Sequence, residues 1–230
     1  MKFYKILSEN ENHYGLQFHT GRIDDPNEFQ EYGICAPGGI YFAPVTSILA
    51  FVDYGPWIRE VTIPEDAQMV KDPGNGPEKY RASSVILGKR ERWEDPEVLR
   101  RLIDEGADVQ VDGEYPLRTA ARYGHTDTVK VLLEHGADVH ALDGEALCWA
   151  ANNGYTETVK VLLENGADVH AHDDEALCCA AEYGYTEAVK VLLEHGADVG
   201  VWSNYALRYA EENGHTETVE LLKSYMKNNS

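Results

Sequence analysis

Cysteine, histidine and carboxylate are the side chains in this sequence that could hold a metal, carry redox chemistry or move a proton. The cysteines are Cys35, Cys148, Cys178 and Cys179. None forms a CxxC pair with a second pair in range, so neither a zinc ribbon nor a disulfide framework is suggested. Cys148 and Cys178 stand at equivalent places 30 residues apart, as small apolar residues buried in a reducing compartment would. His140 and His170 keep the same spacing, with no cysteine or second histidine on a shared face. Each is expected to satisfy a turn by hydrogen bonding, and no metal or cofactor is expected. The carboxylates outnumber the cations, 40 Asp+Glu against 20 Lys+Arg, and the excess is uneven. Residues 1–92 hold 13 acids and 10 bases, residues 93–230 hold 27 and 10. Such a field repels phosphate backbones, which argues against nucleic acid, and favours a basic or mixed-charge protein partner. The plainer use of the same acids is a solvated surface.

The acidic half is periodic. Gly-Ala-Asp-Val begins at Gly106, Gly136, Gly166 and Gly196, and VKVLLE begins in phase at Val129, Val159 and Val189. Val129, Leu132 and Leu133 fall at i, i+3 and i+4, one apolar stripe on a helix. Thr126, Thr156, Thr186 and Thr216 are placed to cap that helix with a side-chain oxygen, and each precedes an acid suited to the first turn. The glycine that follows suits a left-handed helix terminus. Tyr115–Gly124 and its copies read as a shorter preceding helix whose alanines, Ala120, Ala150, Ala180 and Ala210, allow close approach. A helix pair of this size cannot bury its apolar face alone, whereas stacked copies bury a continuous core.

At these residues the chain resembles the ankyrin-repeat family, most fully over Leu147–Ala171, LCWAANNGYTETVKVLLENGADVHA. The resemblance implies a mainly α solenoid that binds other proteins and has no catalytic residues in this half. Two features depart from the family. The period is 30 residues with a β-hairpin shortened to about Val139–Glu145, and Tyr-Pro-Leu-Arg or Glu-Ala-Leu-Cys stands where the family carries Thr-Pro-Leu-His. Blunt hairpins and a contact surface weighted toward the inner helices are therefore expected. Four helix pairs should start near Tyr115, Glu145, Glu175 and Tyr205. A half-repeat, Asp95–Gly106, leads them, with Asp95 and Pro96 as cap and first helical residue.

Residues 1–92 read as a small α+β head that caps the ankyrin-repeat domain of residues 93–230. Gly39–Phe42, Trp57–Ile63 and Ser84–Leu87 read as strands, Thr46–Tyr54 as a short helix and Pro73–Pro77 as a loop. The layout of GGIYF, YGPWIREVTIPEDA and YRASSVILGKR before 30-residue repeats resembles the ankyrin-repeat proteins of giant amoeba-infecting DNA viruses. That implies a viral adaptor or decoy holding a host protein, or else a virion scaffold component. No apolar run approaches the ~18 residues that span a bilayer, and the N-terminus lacks an apolar secretory core. A monomer in the host cytoplasm or nucleus, away from membranes, is expected. His19-Thr-Gly21 followed by Gly39–Ala43 is also faintly similar to the ADP-ribosyltransferase pattern. On that likeness His19 and Tyr41 would hold NAD, and Glu60 or Glu78 would polarise its ribose.

In ankyrin folds partners meet the hairpins and the concave face of the first helices, and the positions here that vary within the repeat mark them. The hairpins offer Asp112, Glu114, Leu142, Asp143, His172, Asp173, Trp202 and Asn204. Between leucine and alanine lie Thr119, Trp149, Cys179 and Tyr209. After the alanines come Arg122, Tyr123, Asn152, Asn153, Glu182, Tyr183, Glu212 and Asn213. Trp149, Tyr183, Trp202 and Tyr209 make an aromatic set among acids, the composition of interface anchors. For each aromatic, packing between repeats is the competing use.

Overall fold

A computed structural model describes residues 1–13, 15–30 and 38–228. Cys35 lies outside the described residues, as do the side chains of His13, Trp202 and Ser203. The chain divides into two compact units, Met1–Pro116 and Leu117–Ser230.

The first unit is strand-rich. Its antiparallel sheet contains β1 (Phe3–Leu7), β4 (Gly21–Asp24), β5 (Ile40–Pro44), β6 (Trp57–Thr62), β7 (Met69–Lys71), β8 (Tyr80–Ala82) and β9 (Ser84–Arg92). Their order across the sheet is β4-β9-β6-β1-β5-β8-β7. β2 (Asn12–His13) and β3 (Leu16–Gln17) pair separately, and a 3-10 segment covers Val45–Tyr54. Leu7, Phe18, Phe42, Val61, Val85 and Leu87 form part of one buried cluster. A bidentate ion pair lies inside this unit: Arg59 Nε and Nη2 donate to Glu11 Oε1 and Oε2 at 2.9 and 3.0 Å. Arg59 Nη1 donates to Thr20 and to the Gly88 carbonyl, so the desolvated guanidinium is saturated on three sides.

Helix α1 (Pro96–Asp104) belongs to the same unit. Asp95 caps it, accepting the Glu97 N–H at 2.9 Å, with Pro96 at the first position. Side chains bind it to the sheet: Arg101 forks onto Glu91 of β9 at 3.1 and 2.7 Å, and Glu105 accepts from Lys2 at 2.6 Å and from Tyr4 of β1.

In the second unit the helices follow one another in pairs: α2 (Val111–Arg122, entering from the first unit), α3 (Thr126–Glu134), α4 (Ala141–Asn152), α5 (Thr156–Glu164), α6 (Ala171–Glu182), α7 (Thr186–Glu194), α8 (Val201–Glu212) and α9 (Thr216–Asn228). The leucine stripe is interior, with Leu132, Leu162 and Leu192 at 0% exposure. Stacking also uses rings: a Cβ on Gly124, Gly154 or Gly184 would lie 2.4–2.6 Å from Tyr155, Tyr185 or His215 of the next repeat.

Two local expectations are corrected. The threonines are not side-chain caps: His125, Tyr155 and Tyr185 occupy the N-cap positions, and none makes a side-chain cap bond. The hydroxyls instead reach the adjacent repeat. Thr126 Oγ1 meets Thr158 Oγ1, and Thr186 meets Thr218, both at 2.8 Å. Thr156 has Ala188 in the corresponding place, so this bond is missing between α5 and α7.

The shortened hairpins are also not strands. Asp112-Gly-Glu114, Leu142-Asp-Gly144 and His172-Asp-Asp174 each run three residues in the left-handed region, with φ between 50 and 77°. Left-handed turns of this kind reverse the chain in fewer residues than a two-stranded hairpin, which accommodates the 30-residue period. Each costs backbone energy at its non-glycine positions. The aspartates of the Gly-Ala-Asp-Val strings prepare the turn, Asp138 and Asp168 Oδ1 accepting the N–H of His140 and His170 at 2.9 Å. His170 and the Asp198 N–H both bond to Asp174, tying consecutive repeats.

Candidate functional site

The first helix of each pair exposes one side, and there α4 and α6 leave an open groove of about 570 Å3. Glu145, Cys148, Trp149 and Asn152 line it from α4, and Glu175 and Cys179 from α6. Leu142 and His172 reach it from the left-handed turns, which hold Leu142 57% exposed. His172 Nδ1 lies 3.5 Å from Asp143 Oδ2 at the same place. Alanines fully buried between the helices, Ala150 and Ala180, set the close approach that brings these side chains level.

The groove is apolar and aromatic with an acidic rim. Burial, reinforced by Glu175, pushes the Cys148 thiol up to about 12, and Cys179 is pushed up to about 11 by burial with Glu175 and Glu182 adding to it. Both are therefore neutral thiols at neutral pH. The Arg122 guanidinium lies over Trp149, 4.8 Å from the ring centroid, and Arg118 pairs with Glu145 at 2.5 Å. Among the described residues no group of His, Cys, Asp and Glu could hold a metal, and no helix is long and apolar enough to cross a membrane.

Of the positions marked from sequence, the structure gathers Leu142, Trp149, Asn152, His172 and Cys179 around this groove, with Asp143 and Arg122 beside it. Tyr123, Asp173, Tyr183 and Glu212 are exposed elsewhere, and Glu182 and Asn204 are half-buried. Tyr209 stacks on Tyr205 with centroids 4.0 Å apart. Asn153 and Asn213 commit their amides to the Trp149 and Glu182 carbonyls at 2.8 and 3.1 Å, closing helix ends. Thr119 is expected on the surface but is 5% exposed. Within the first unit Asp112 is exposed, whereas Glu114 is turned inward at 4% by its left-handed backbone. Of Trp202 only the helical backbone is described. Glu145, Cys148 and Glu175 were missed. Their signal was present, because the first and last residues of the Tyr-Pro-Leu-Arg tetrapeptide are the ones that change to Glu and Cys.

In the first unit the cavity lined by Glu60 does not gather the other residues of the NAD-binding pattern. Glu78 is engaged by Lys71 and by the Tyr80 hydroxyl, both at 2.7 Å. Glu60 lines a small polar cavity with Lys2, Tyr4, Arg101 and Glu105, whose walls include neither His19 nor Tyr41. His19 is exposed with its ring against the Thr20 carbonyl, and Tyr41 lies under Lys79.

A family model of ankyrin repeats, three copies, matches residues 91–173 and 147–230. An ankyrin repeat protein of Acanthamoeba polyphaga mimivirus is 40% identical over 135 residues, covering 54% of this chain and 44% of that protein. A second from the same virus is 27% identical over 132 residues, 55% of this chain and 64% of its own length. An uncharacterized protein of that virus is 30% identical over 134 residues, 55% of this chain and 94% of its own. The chain thus spans less than two thirds of the first two relatives it matches.

Proposed function

Because the chain belongs to the ankyrin-repeat family, whose repeats are protein–protein interaction modules, we propose that it is a viral adaptor or decoy holding a host protein on the concave face of its first helices. The groove between α4 and α6 carries this reading: a tryptophan, an exposed leucine and neutral thiols stand among carboxylates, where a partner's apolar anchor would be desolvated and its basic rim matched. The acidity of residues 93–230 favours a basic or mixed-charge partner, and salt would weaken the complex by screening the rim. Relatives in a virus of Acanthamoeba support a host protein as the target. We propose that the chain acts as a monomer in the host cytoplasm or nucleus.

A photo-cross-linking residue placed at Asn152, in the groove, and separately at Lys160, exposed on α5, tests the assignment in amoebal cells. The expected result is a discrete host-protein adduct from position 152 that position 160 does not give. Equal adducts from both positions, or none from 152, would remove the groove as the binding face.

A further inference from the structure

One pair of neighbouring first helices is joined by an ion pair, and at the next step the carboxylate is kept while the cation is not. Arg118 Nη1 of α2 donates to Glu145 Oε2 of α4 at 2.5 Å. Thirty residues further on, Cys148 stands in the place of Arg118 and Glu175 in the place of Glu145. Cys148 brings no charge to that place, and among the described residues no lysine or arginine ion pair reaches the Glu175 carboxylate. The groove opens where the longer side chain would have lain, with Glu175 exposed on it. Beside the groove the Arg122 guanidinium lies over the Trp149 ring, 4.8 Å from its centroid. The same molecule therefore shows both kinds of arginine contact, with a carboxylate at one step and with the groove's indole from beside it.

We propose that the groove between α4 and α6 takes an arginine side chain of the partner protein, its guanidinium on Glu175 and its methylene stem along Trp149. This rests on the protein-binding reading and states what the partner must bring. Arginine fits better than lysine for two reasons. Its planar fork can take both carboxylate oxygens, and it is weakly hydrated and stacks on aromatic faces. An acidic side chain is disfavoured by Glu175, which has no ion-pair partner among the described residues.

The test uses the full chain and three capped pentapeptides, Gly-Gly-Xaa-Gly-Gly, with arginine, lysine or the neutral isostere citrulline at the centre. NMR titration follows the Trp149 indole N–H and the backbone amides of α4 and α6. The arginine peptide should shift these signals saturably, with lysine about threefold weaker and citrulline without a saturable effect. Glu175→Gln should weaken arginine binding about fivefold. Cys148→Arg should abolish it by supplying the cation from within the chain. The fold tolerates arginine there, since Arg118 and Arg208 hold the equivalent positions. Equal binding of lysine and arginine with no effect of Glu175→Gln, or shifts centred away from α4 and α6, overturns the proposal. Placing Glu175→Gln in the photo-cross-linking chain separates the two readings. An unchanged host adduct at position 152 together with indifferent peptides defeats the arginine site and leaves the binding face standing, whereas loss of any adduct in the unsubstituted chain defeats the face itself.

Discussion

Replacing Gly154 by alanine tests whether the aromatic ring of one repeat is seated on the glycine of the one before. Gly154 has φ +71°, and an added Cβ would lie 2.6 Å from Cδ1 of Tyr185. Ordinary contact begins at 3.4 Å, so the ring or the backbone must withdraw by most of an ångström. The left-handed backbone alone costs alanine about 1 kcal/mol, and forcing the ring out of its seat adds about 1–3 kcal/mol. A total of about 2–4 kcal/mol is expected. Gly166 supplies the control: its φ is +91°, but nothing lies within 4 Å of the added carbon, so Gly166→Ala should cost only about 1 kcal/mol. Urea unfolding followed by far-UV circular dichroism reads the difference as a shift in midpoint. Combining Gly154→Ala with Tyr185→Ala should recover part of the loss, because the ring the methyl strikes has gone. Equal costs at Gly154 and Gly166, or strict additivity in the double variant, would refute the seating argument.

Three further outcomes are expected. Ala188→Thr should supply the missing hydroxyl partner of Thr156 and raise stability by about 0.5–1 kcal/mol, measured by urea midpoint; Thr158→Val should lower it by a similar amount. Leu142 is 57% exposed at φ 50°, so Leu142→Gly gives up little burial, relieves left-handed strain and should stabilise the chain by about 0.5–1 kcal/mol in thermal unfolding. The Arg101 guanidinium holds the Glu91 carboxyl down at about 2, below its ordinary 4.5. Its contribution is therefore complete above pH 4.5 and fades as pH falls toward 2, about 1 kcal/mol after allowance for solvent screening. Glu91→Gln should flatten the stability profile of the full chain over that interval.

The helical half was legible because each position is stated several times. Leu132, Leu162 and Leu192 repeat the same burial, and Asp95 with Pro96 starts α1 by a purely local rule. What escaped notice depended on contacts between copies or on residues that contradict their surroundings. No single repeat shows that Thr126 meets Thr158, because the partner lies 32 residues away. Leucine and histidine are poor signals for positive φ, so the left-handed turns at Leu142 and His172 were hidden, although the loss of three residues from the hairpin was plain. In the first unit β1 is obscured by Lys5, a fully buried lysine whose ammonium donates to the Tyr41 carbonyl, and β8 is only three residues long with the buried Arg81 at its centre. At the groove, the varying aromatic and polar positions were readable. Glu145 and Glu175 show in the sequence only as helix starts, since their surroundings depend on what stands 27 residues earlier.

The absent threonine bond at Ala188 has a mechanical consequence. It falls on the joint between the α4–α5 and α6–α7 pairs, the joint that the groove also straddles. Helices on either side are joined by paired hydroxyls, a link this joint does without. Anything clasped by α4 and α6 becomes a splint across that joint. Tightness of grip and stiffness of the rod are then one quantity, and a guest that binds well also makes its host harder to pull apart.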